Sequence, residues 1–100
     1  MAPGDEPPDA GLPPAAVAAF AALRVQFLAG LPRRWAEIAG AADEAQRRAA
    51  LHRLAGAAGG YGCPQLGEAA RHAEQATVEQ LVTALAELQR LLTAAAATVR

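Results

Sequence analysis

Apolar residues recur at intervals of three, four and seven along most of the chain, the spacing that gathers them on one side of an α-helix. The first such region runs from about residue 13 to residue 39, and its apolar positions are Val17, Phe20, Phe27, Leu31, Trp35 and Ile38. Pro32 lacks an amide hydrogen and clashes with the turn before it, so we expect the helix to kink or break near Gly30. The part after the break, 32–39, is predicted as a separate short helix.

The second main helix is predicted over about 44–60. Asp43 is a suitable N-cap, and Gln46 follows three residues later, as in a capping box. One side of this helix carries the residues expected in the core, namely Leu51, Leu54, Ala58 and Tyr61. Gly62 supplies the stop.

Two more helices complete the pattern. The third covers about 64–76, and its apolar face consists of Leu66, Ala69, Ala70 and Ala73. It begins at Pro64, a residue that suits the first turn of a helix. Residues 77–80, TVEQ, form a capping box for the fourth helix. The a/d pattern of that helix comprises Val78, Leu81, Val82, Leu85, Leu88, Leu92, Ala95 and Val99.

No segment alternates with a period of two, and no hairpin turn is present, so no sheet is predicted. Short connections between consecutive helices make neighbours antiparallel. The sequence therefore predicts an all-α fold over residues 13–100, an antiparallel up-down four-helix bundle with an extra or kinked N-terminal helix. Residues 1–12 hold prolines, glycines and acids with little to bury, and we interpret them as a disordered, Pro-rich N-terminal arm.

Composition and charge limit the classes of function. Apolar residues make up 53% of the chain but aromatic residues only 4%, which indicates a thin core between closely packed helices. A net charge of −1 gives no reason to expect a nucleic-acid or membrane partner. No apolar run reaches the roughly 18 residues of a membrane span, and no basic segment leads into an apolar one as in a secretory signal. A single cysteine, Cys63, excludes an internal disulfide, so a cytoplasmic location is expected.

Most kinds of catalytic site are excluded by the residues available. The two histidines, His52 and His72, fall on different predicted helices without Glu-x-x-His spacing, so neither a metal site nor a bound cofactor is predicted. Residues 59–62, GGYG, follow no strand and therefore do not form a phosphate loop. The chain contains no serine, and Cys63 stands at the other end of a helix from His52, so a Ser–His or Cys–His nucleophile is not expected.

His52 is the group that can still perform chemistry. It lies about 100° around the helix from Leu51, among the small or basic neighbours Arg48, Ala49, Ala55, Gly56 and Gly59. Neutral histidine is a nucleophile near pH 7, because the pKa of an unperturbed imidazole is about 6.5. An exposed nucleophile without a pocket needs another protein to bring its substrate, which favours group transfer between proteins. The alternative is a solvated histidine on an alanine-rich helix.

Residues 52–62, HRLAGAAGGYG, resemble the signature of histidine-containing phosphotransfer (HPt) domains. That signature has a histidine, any residue, an aliphatic residue, often a lysine, then glycine, small residues, an apolar residue and glycine. Residues 66–74 resemble the next helix of the family, and 27–34 the helix that usually precedes the histidine. The resemblance covers about residues 14–95.

The resemblance implies that His52 accepts a phosphoryl group from an aspartyl phosphate and passes it to another aspartate. The partners would be the receiver domain of a hybrid histidine kinase and the receiver domain of a response regulator, which supply the acidic pocket and Mg²⁺. Gly56 matches the family's glycine and would leave clearance for the incoming receiver. The phosphate-side or receiver-contact residues are expected to be Arg48, Arg53, Ala55, Gly56 and Gly59. A monomer is expected, because members of the family usually are monomers.

The chain departs from the family pattern at Ala55, where a lysine often faces the phosphate. Arg53 points about 100° away from His52 on the helix. Arg48 lies four residues before His52 on the same face, and helical side chains lean toward the N-terminus. We therefore hypothesise that Arg48 is the phosphate-side cation, the alternative being a solvated surface charge. His72 is expected to be exposed and to have no role.

A different class of function stays open. The bundle could be a non-catalytic helical adaptor that binds a receiver, or dimerises through its fourth helix, without being phosphorylated. The presence of His52 together with Gly56 argues against this alternative, and the missing lysine argues mildly for it. The chain could also be part of a larger kinase.

Overall fold

A computed structural model describes residues 12–99 of the chain, and within that range all regular structure is helical. The helices are α1 (Pro14–Ala29), α2 (Leu31–Ala39), α3 (Glu44–Gly60), α4 (Pro64–Gln75) and α5 (Val78–Ala97). The fold is the all-α bundle that the sequence predicts, with α1 and α2 together forming one arm of it. Apart from Leu12, which is exposed, the Pro-rich segment predicted over residues 1–12 lies outside the described residues.

The break in the first helical region lies where glycine and proline place it. Gly30 ends α1, and its amide donates to the carbonyl oxygens of Gln26 (3.0 Å) and Phe27 (3.2 Å). Pro32 then occupies the first turn of α2, where its missing amide hydrogen costs no helical hydrogen bond. The separate short helix is confirmed, and it begins at Leu31 rather than at Pro32.

The predicted caps of α3 and α5 are also present. The amide of Gln46 donates to Asp43 Oδ1 at 2.8 Å, and the Gln46 side chain accepts from the amide of Ala42 at 3.2 Å. At the start of α5 the amide of Thr77 donates to Gln80 Oε1 at 3.3 Å. These bonds satisfy amides that the first turn of a helix leaves without a partner.

The core is apolar throughout the described residues and lies where the helices face one another. Its fully buried large side chains are Leu28, Leu31, Ile38, Leu51, Leu54 and Leu88. The closest packing is between α3 and α4, where Gly67 stands directly against α3. A methyl group on Gly67 would lie 3.2 Å from the carbonyl oxygen of Ala55 and 3.5 Å from the Cβ of Ala58. The missing side chain at Gly67 therefore sets how near the two backbones come.

Periodicity alone misassigned the two ends of the bundle. Val17 and Phe20, predicted in the core, are 43% and 48% exposed. The buried residues of α1 are confined to its last turn. Because α3 ends at Gly60, the earlier turns of α1 have no part of α3 to pack on. The ring of Phe20 meets Tyr61 instead, with 6.0 Å between the ring centroids.

Two valines at the start of α5 are also misassigned. Val78 and Val82 fit the a/d pattern but are 85% and 78% exposed. The buried face of α5 is centred on Leu88 and Leu92 and includes Ala84. Val82 lies about 120° around the helix from Leu88, which places it on the solvent side.

The stretch Pro14–Ala39 is long and apolar enough, by length and composition alone, to cross a membrane. An 18-residue segment within it has a mean hydropathy of 1.6, and 17% of that segment is buried. The expectation that no segment reaches this length is therefore wrong by that measure. Alanine supplies much of the hydropathy, and α1 and α2 divide the stretch at Gly30. Core helices of soluble proteins and secretory signals have the same length and composition, so this finding is weak support for a membrane span.

The contrast between Gly67 and Gly56 gives a stability prediction. Gly56→Ala should raise the free energy of unfolding by about 0.5–1 kcal/mol, because no atom lies within 4 Å of the added methyl group and alanine is the better helix former. Gly67→Ala should lower it by about 1 kcal/mol, since overpacking costs about 1–3 kcal/mol and exceeds the gain in propensity. Urea unfolding of both variants measures this. Equal stabilisation by the two substitutions would contradict the close α3–α4 packing.

Candidate functional site

The two histidines have different surroundings. His52 lies in the middle of α3, and its side chain is 79% exposed. Its Nδ1 is 3.1 Å from Oε1 of Glu74 on α4, whose side chain is 25% exposed. His72 lies on α4 in a groove against α5 and, among the described residues, has no acidic group within ion-pair distance.

The Glu74 contact determines which nitrogen of His52 is free. An ionised carboxylate only accepts hydrogen bonds, so Nδ1 of His52 carries the hydrogen and donates it to Glu74. In the neutral ring Nε2 then has the lone pair. Because the side chain is largely exposed, this lone pair is open to a reactant arriving from solvent. The arrangement provides an oriented nucleophile outside any enclosed cavity.

The register of α3 and α4 brings His52 and Glu74 together. The two helices are antiparallel around a short turn at 61–63, and the two residues are equally far in sequence from Cys63. Gly67 allows the close approach that a contact of 3.1 Å requires. Sequence reasoning missed Glu74, although this symmetry about the turn was a signal that could have identified it.

The surface beside His52 is open along α3. Gly56 and Gly59 are exposed, and nothing lies within 4 Å of a methyl group placed on either. Ala49, one turn before His52, is exposed as well. A flat partner surface can therefore come close to the imidazole without meeting a side chain from this part of α3.

Ala55 does not belong to that open surface, contrary to the prediction. It is 5% exposed, because it lies on the side of α3 that faces α4, and its carbonyl oxygen packs against Gly67. Ala55 is therefore a core residue and is not available for contact with a partner. A helical wheel places it within a turn of His52 but does not show which flank a neighbouring helix covers.

Arg48 and Arg53 lie on opposite sides of the site. The Arg48 guanidinium pairs with Glu44, one turn further from His52, at 2.8 Å, and both side chains are more than half exposed. Arg53 faces the α1–α2 arm and lines a groove there together with Arg33, Arg34 and Glu37. Neither arginine has His52 as an ion-pair or hydrogen-bond partner.

A third cation, Arg71, stands on α4 near the site. It lies three residues before Glu74 and hence about one turn along the same side of the helix. Its guanidinium is 3.3 Å from a carboxylate oxygen of Glu68, and its side chain is 56% exposed. Sequence reasoning did not consider Arg71, because the pairing of α3 with α4 is what brings this side of α4 next to the histidine.

In the part of the chain that the structure describes, acidic side chains elsewhere do not form a metal centre. Within residues 12–99 no three or more His, Cys, Asp or Glu side chains come together as metal ligands would. In the groove beside His72 the Arg90 guanidinium donates two hydrogen bonds to Glu87, and these lower the pKa of the Glu87 carboxyl below its usual value. The pKa of Arg90 is raised for the same reason.

Comparison with known proteins identifies the family. The family model of the Hpt domain matches residues 22–98, which include His52, Glu74 and the open glycine surface. No curated protein and no solved structure matches the chain. Because the matched region covers well over half of the sequence, the chain belongs to the Hpt domain family.

Proposed function

We propose that this protein is a phosphoryl carrier of a multistep two-component phosphorelay, with His52 as the phosphorylated residue. Membership of the Hpt family implies histidine phosphotransfer in phosphorelays generally. The observation that carries the assignment to His52 is its Nδ1 contact with Glu74, which leaves Nε2 free on an exposed ring. His72, also exposed, has no such partner among the described residues.

The proposed step is a displacement at phosphorus. Nε2 of His52 attacks the phosphorus of an aspartyl phosphate on the partner, the N–P bond forms, and the P–O bond to the aspartate breaks. The electron pair of that bond stays on the aspartate carboxylate. The ring keeps its Nδ1 hydrogen and becomes cationic, and the Glu74 carboxylate at 3.1 Å stabilises that charge. Onward transfer reverses the bond changes with an aspartate of a second receiver.

The partners supported by the site are receiver domains. Hpt domains interact with receiver domains of response regulators or kinases, and they are carriers rather than catalysts. For this chain we propose the receiver of a hybrid histidine kinase as one partner and the receiver of a response regulator as the other. Gly56 and Gly59 keep the approach to His52 open, as such an encounter requires. The proposed carrier acts as a monomer in the cytoplasm.

The first functional prediction concerns the phosphorylated residue. Phosphorylated receivers from the same organism, incubated with this protein and Mg²⁺, should transfer an acid-labile phosphoryl group to wild type and to His72→Ala but not to His52→Ala. Phosphate-affinity gel electrophoresis before and after acid treatment measures this. Circular dichroism of both variants controls for folding. Label that survives in His52→Ala would refute the assignment, and receiver binding without label in wild type would favour a non-catalytic adaptor.

The second prediction concerns Glu74 as a positioning residue. Glu74→Ala should slow phosphorylation by about tenfold or more, because it removes a hydrogen bond to a charged group, worth about 1.5–3 kcal/mol. It should also shift the neutral His52 ring away from the Nδ1–H tautomer, which ¹⁵N NMR of the imidazole detects. Glu74→Gln should restore most of both properties, because its amide oxygen can still accept the bond. Glu79→Ala, on the exposed start of α5, is the matched control.

A merely structural role would leave the tautomer unchanged. If Glu74→Ala keeps the wild-type ¹⁵N pattern and the wild-type rate, the orienting role is wrong.

The third prediction concerns the cation beside the phosphate. Arg48 remains our proposal for this role, with Arg71 of α4 as the competing residue. Arg48→Ala should shorten the lifetime of phosphohistidine or slow its formation by about fivefold, as expected for an exposed charge pair worth roughly 1 kcal/mol. If Arg48→Ala accepts and holds phosphate as wild type does, the assignment is wrong. A loss confined to Arg71→Ala would move the role to α4.

The competing function is a non-catalytic adaptor that binds a receiver or a second copy of itself. The observation favouring it is the apolar surface left uncovered on α1 and at the start of α5, including Phe20, Leu23, Val78 and Val82. The transfer assay above separates the two functions, because an adaptor would bind without taking up phosphate.

A further inference from the structure

A basic groove lies between the α1–α2 arm and α3. Three arginines, Arg33, Arg34 and Arg53, line it together with the single carboxylate of Glu37. The ion pairs found among the described residues join 44 to 48, 52 to 74, 68 to 71 and 87 to 90, and none involves these arginines. The groove therefore presents an excess of positive charge that the surrounding chain does not neutralise.

One of these cations is held in place by an aromatic ring. The guanidinium of Arg34 lies over the ring of Phe27, 5.6 Å from its centroid. Phe27 is buried and stacks in turn on Tyr61, with 5.0 Å between centroids. A guanidinium fixed in this way loses little conformational entropy when it binds a carboxylate.

The groove is continuous with the surface around His52. Arg53 follows His52 in sequence, and Ala49 lies within one turn of both. Arg53 also lines a second groove, nearer the start of α3, together with Ala49 and Glu37. The basic surface thus begins on the side of His52 opposite to Glu74. A partner that covers His52 also reaches it.

The positive charge is local to this side of the molecule. The chain as a whole has a net charge of −1. On the other side of His52 the helices α4 and α5 carry two arginines, Arg71 and Arg90, each paired with a glutamate, and four glutamates in all, Glu68, Glu74, Glu79 and Glu87. A general attraction for nucleic acid or other polyanions is therefore not expected. Charge instead distinguishes one flank of the histidine from the other.

We propose that the groove formed by Arg33, Arg34 and Arg53 is a docking site for acidic side chains on the receiver surface bordering its phosphorylated aspartate. Guanidinium groups bind carboxylates in a bidentate manner, and complementary charge raises the rate of encounter and excludes partners of like charge. The groove thereby selects which receivers exchange phosphate with this protein. This inference rests on the proposed carrier function.

The test compares charge reversals on the two sides of the molecule. Arg33→Glu and Arg53→Glu change the groove, whereas Arg90→Glu makes the same change of charge on the far face of α5. Arg34 is left intact because it packs on Phe27. The donors are phosphorylated receivers from the same organism, and the readout is the second-order rate constant of transfer at low and high salt.

Arg33→Glu should lower this rate constant by about tenfold for acidic receivers, through KM rather than the maximal rate, and Arg90→Glu by less than about twofold. The difference should shrink at high salt, since the screening length falls from about 10 Å at 0.1 M to about 3 Å at 1 M. Phosphorylation of Arg33→Glu by phosphoramidate, which needs no docking, should match wild type. Equal losses for Arg33→Glu and Arg90→Glu, or a loss independent of salt, would overturn the docking site. Wild type that takes phosphate from neither phosphoramidate nor any receiver would instead overturn the carrier function itself.

Discussion

The close packing of α3 against α4 is the constraint on which the site depends. Gly67 has no side chain, so the two backbones approach until a methyl group there would lie 3.2 Å from the carbonyl oxygen of Ala55. That approach buries Ala55 and brings Glu74 within 3.1 Å of Nδ1 of His52. Without this contact an exposed imidazole would have no partner that holds its orientation or selects its tautomer. The orientation of the proposed nucleophile is thus a consequence of helix packing.

The candidate site supplies only some of the groups that a phosphotransfer reaction needs. His52 has a carboxylate beside Nδ1, but among the described residues it has no enclosing cavity and no cluster of metal-ligating side chains. A carrier benefits from this arrangement, because an enclosed site would hold the phosphoryl group away from the next partner. The open surface at Gly56 and Gly59 serves the same end. Catalytic groups supplied by a partner act only while that partner is bound.

The two flanks of His52 separate chemistry from recognition. On one flank Glu74 contacts the ring at Nδ1. On the other, the groove lined by Arg33, Arg34 and Arg53 does not include His52, and we propose that it contacts the partner. The proposed roles are thus separable: substitutions in the groove would change the choice of partner without changing the nucleophile, whereas substitution of Glu74 would change the nucleophile for every partner.

Local sequence was enough to predict the helices, their caps and the candidate histidine. Asp43 and Thr77 start helices, Gly30 and Gly62 end segments, and the small residues Gly56 and Gly59 leave His52 open on its own helix, so local physics suffices for these features. Which residues face one another across helices depends on how the helices pack. Glu74 beside the histidine, the burial of Ala55 and the exposure of Val17, Phe20, Val78 and Val82 all depend on the length and register of neighbouring helices. Periodicity shows that a helix has an apolar side, but only packing shows how much of that side another helix covers.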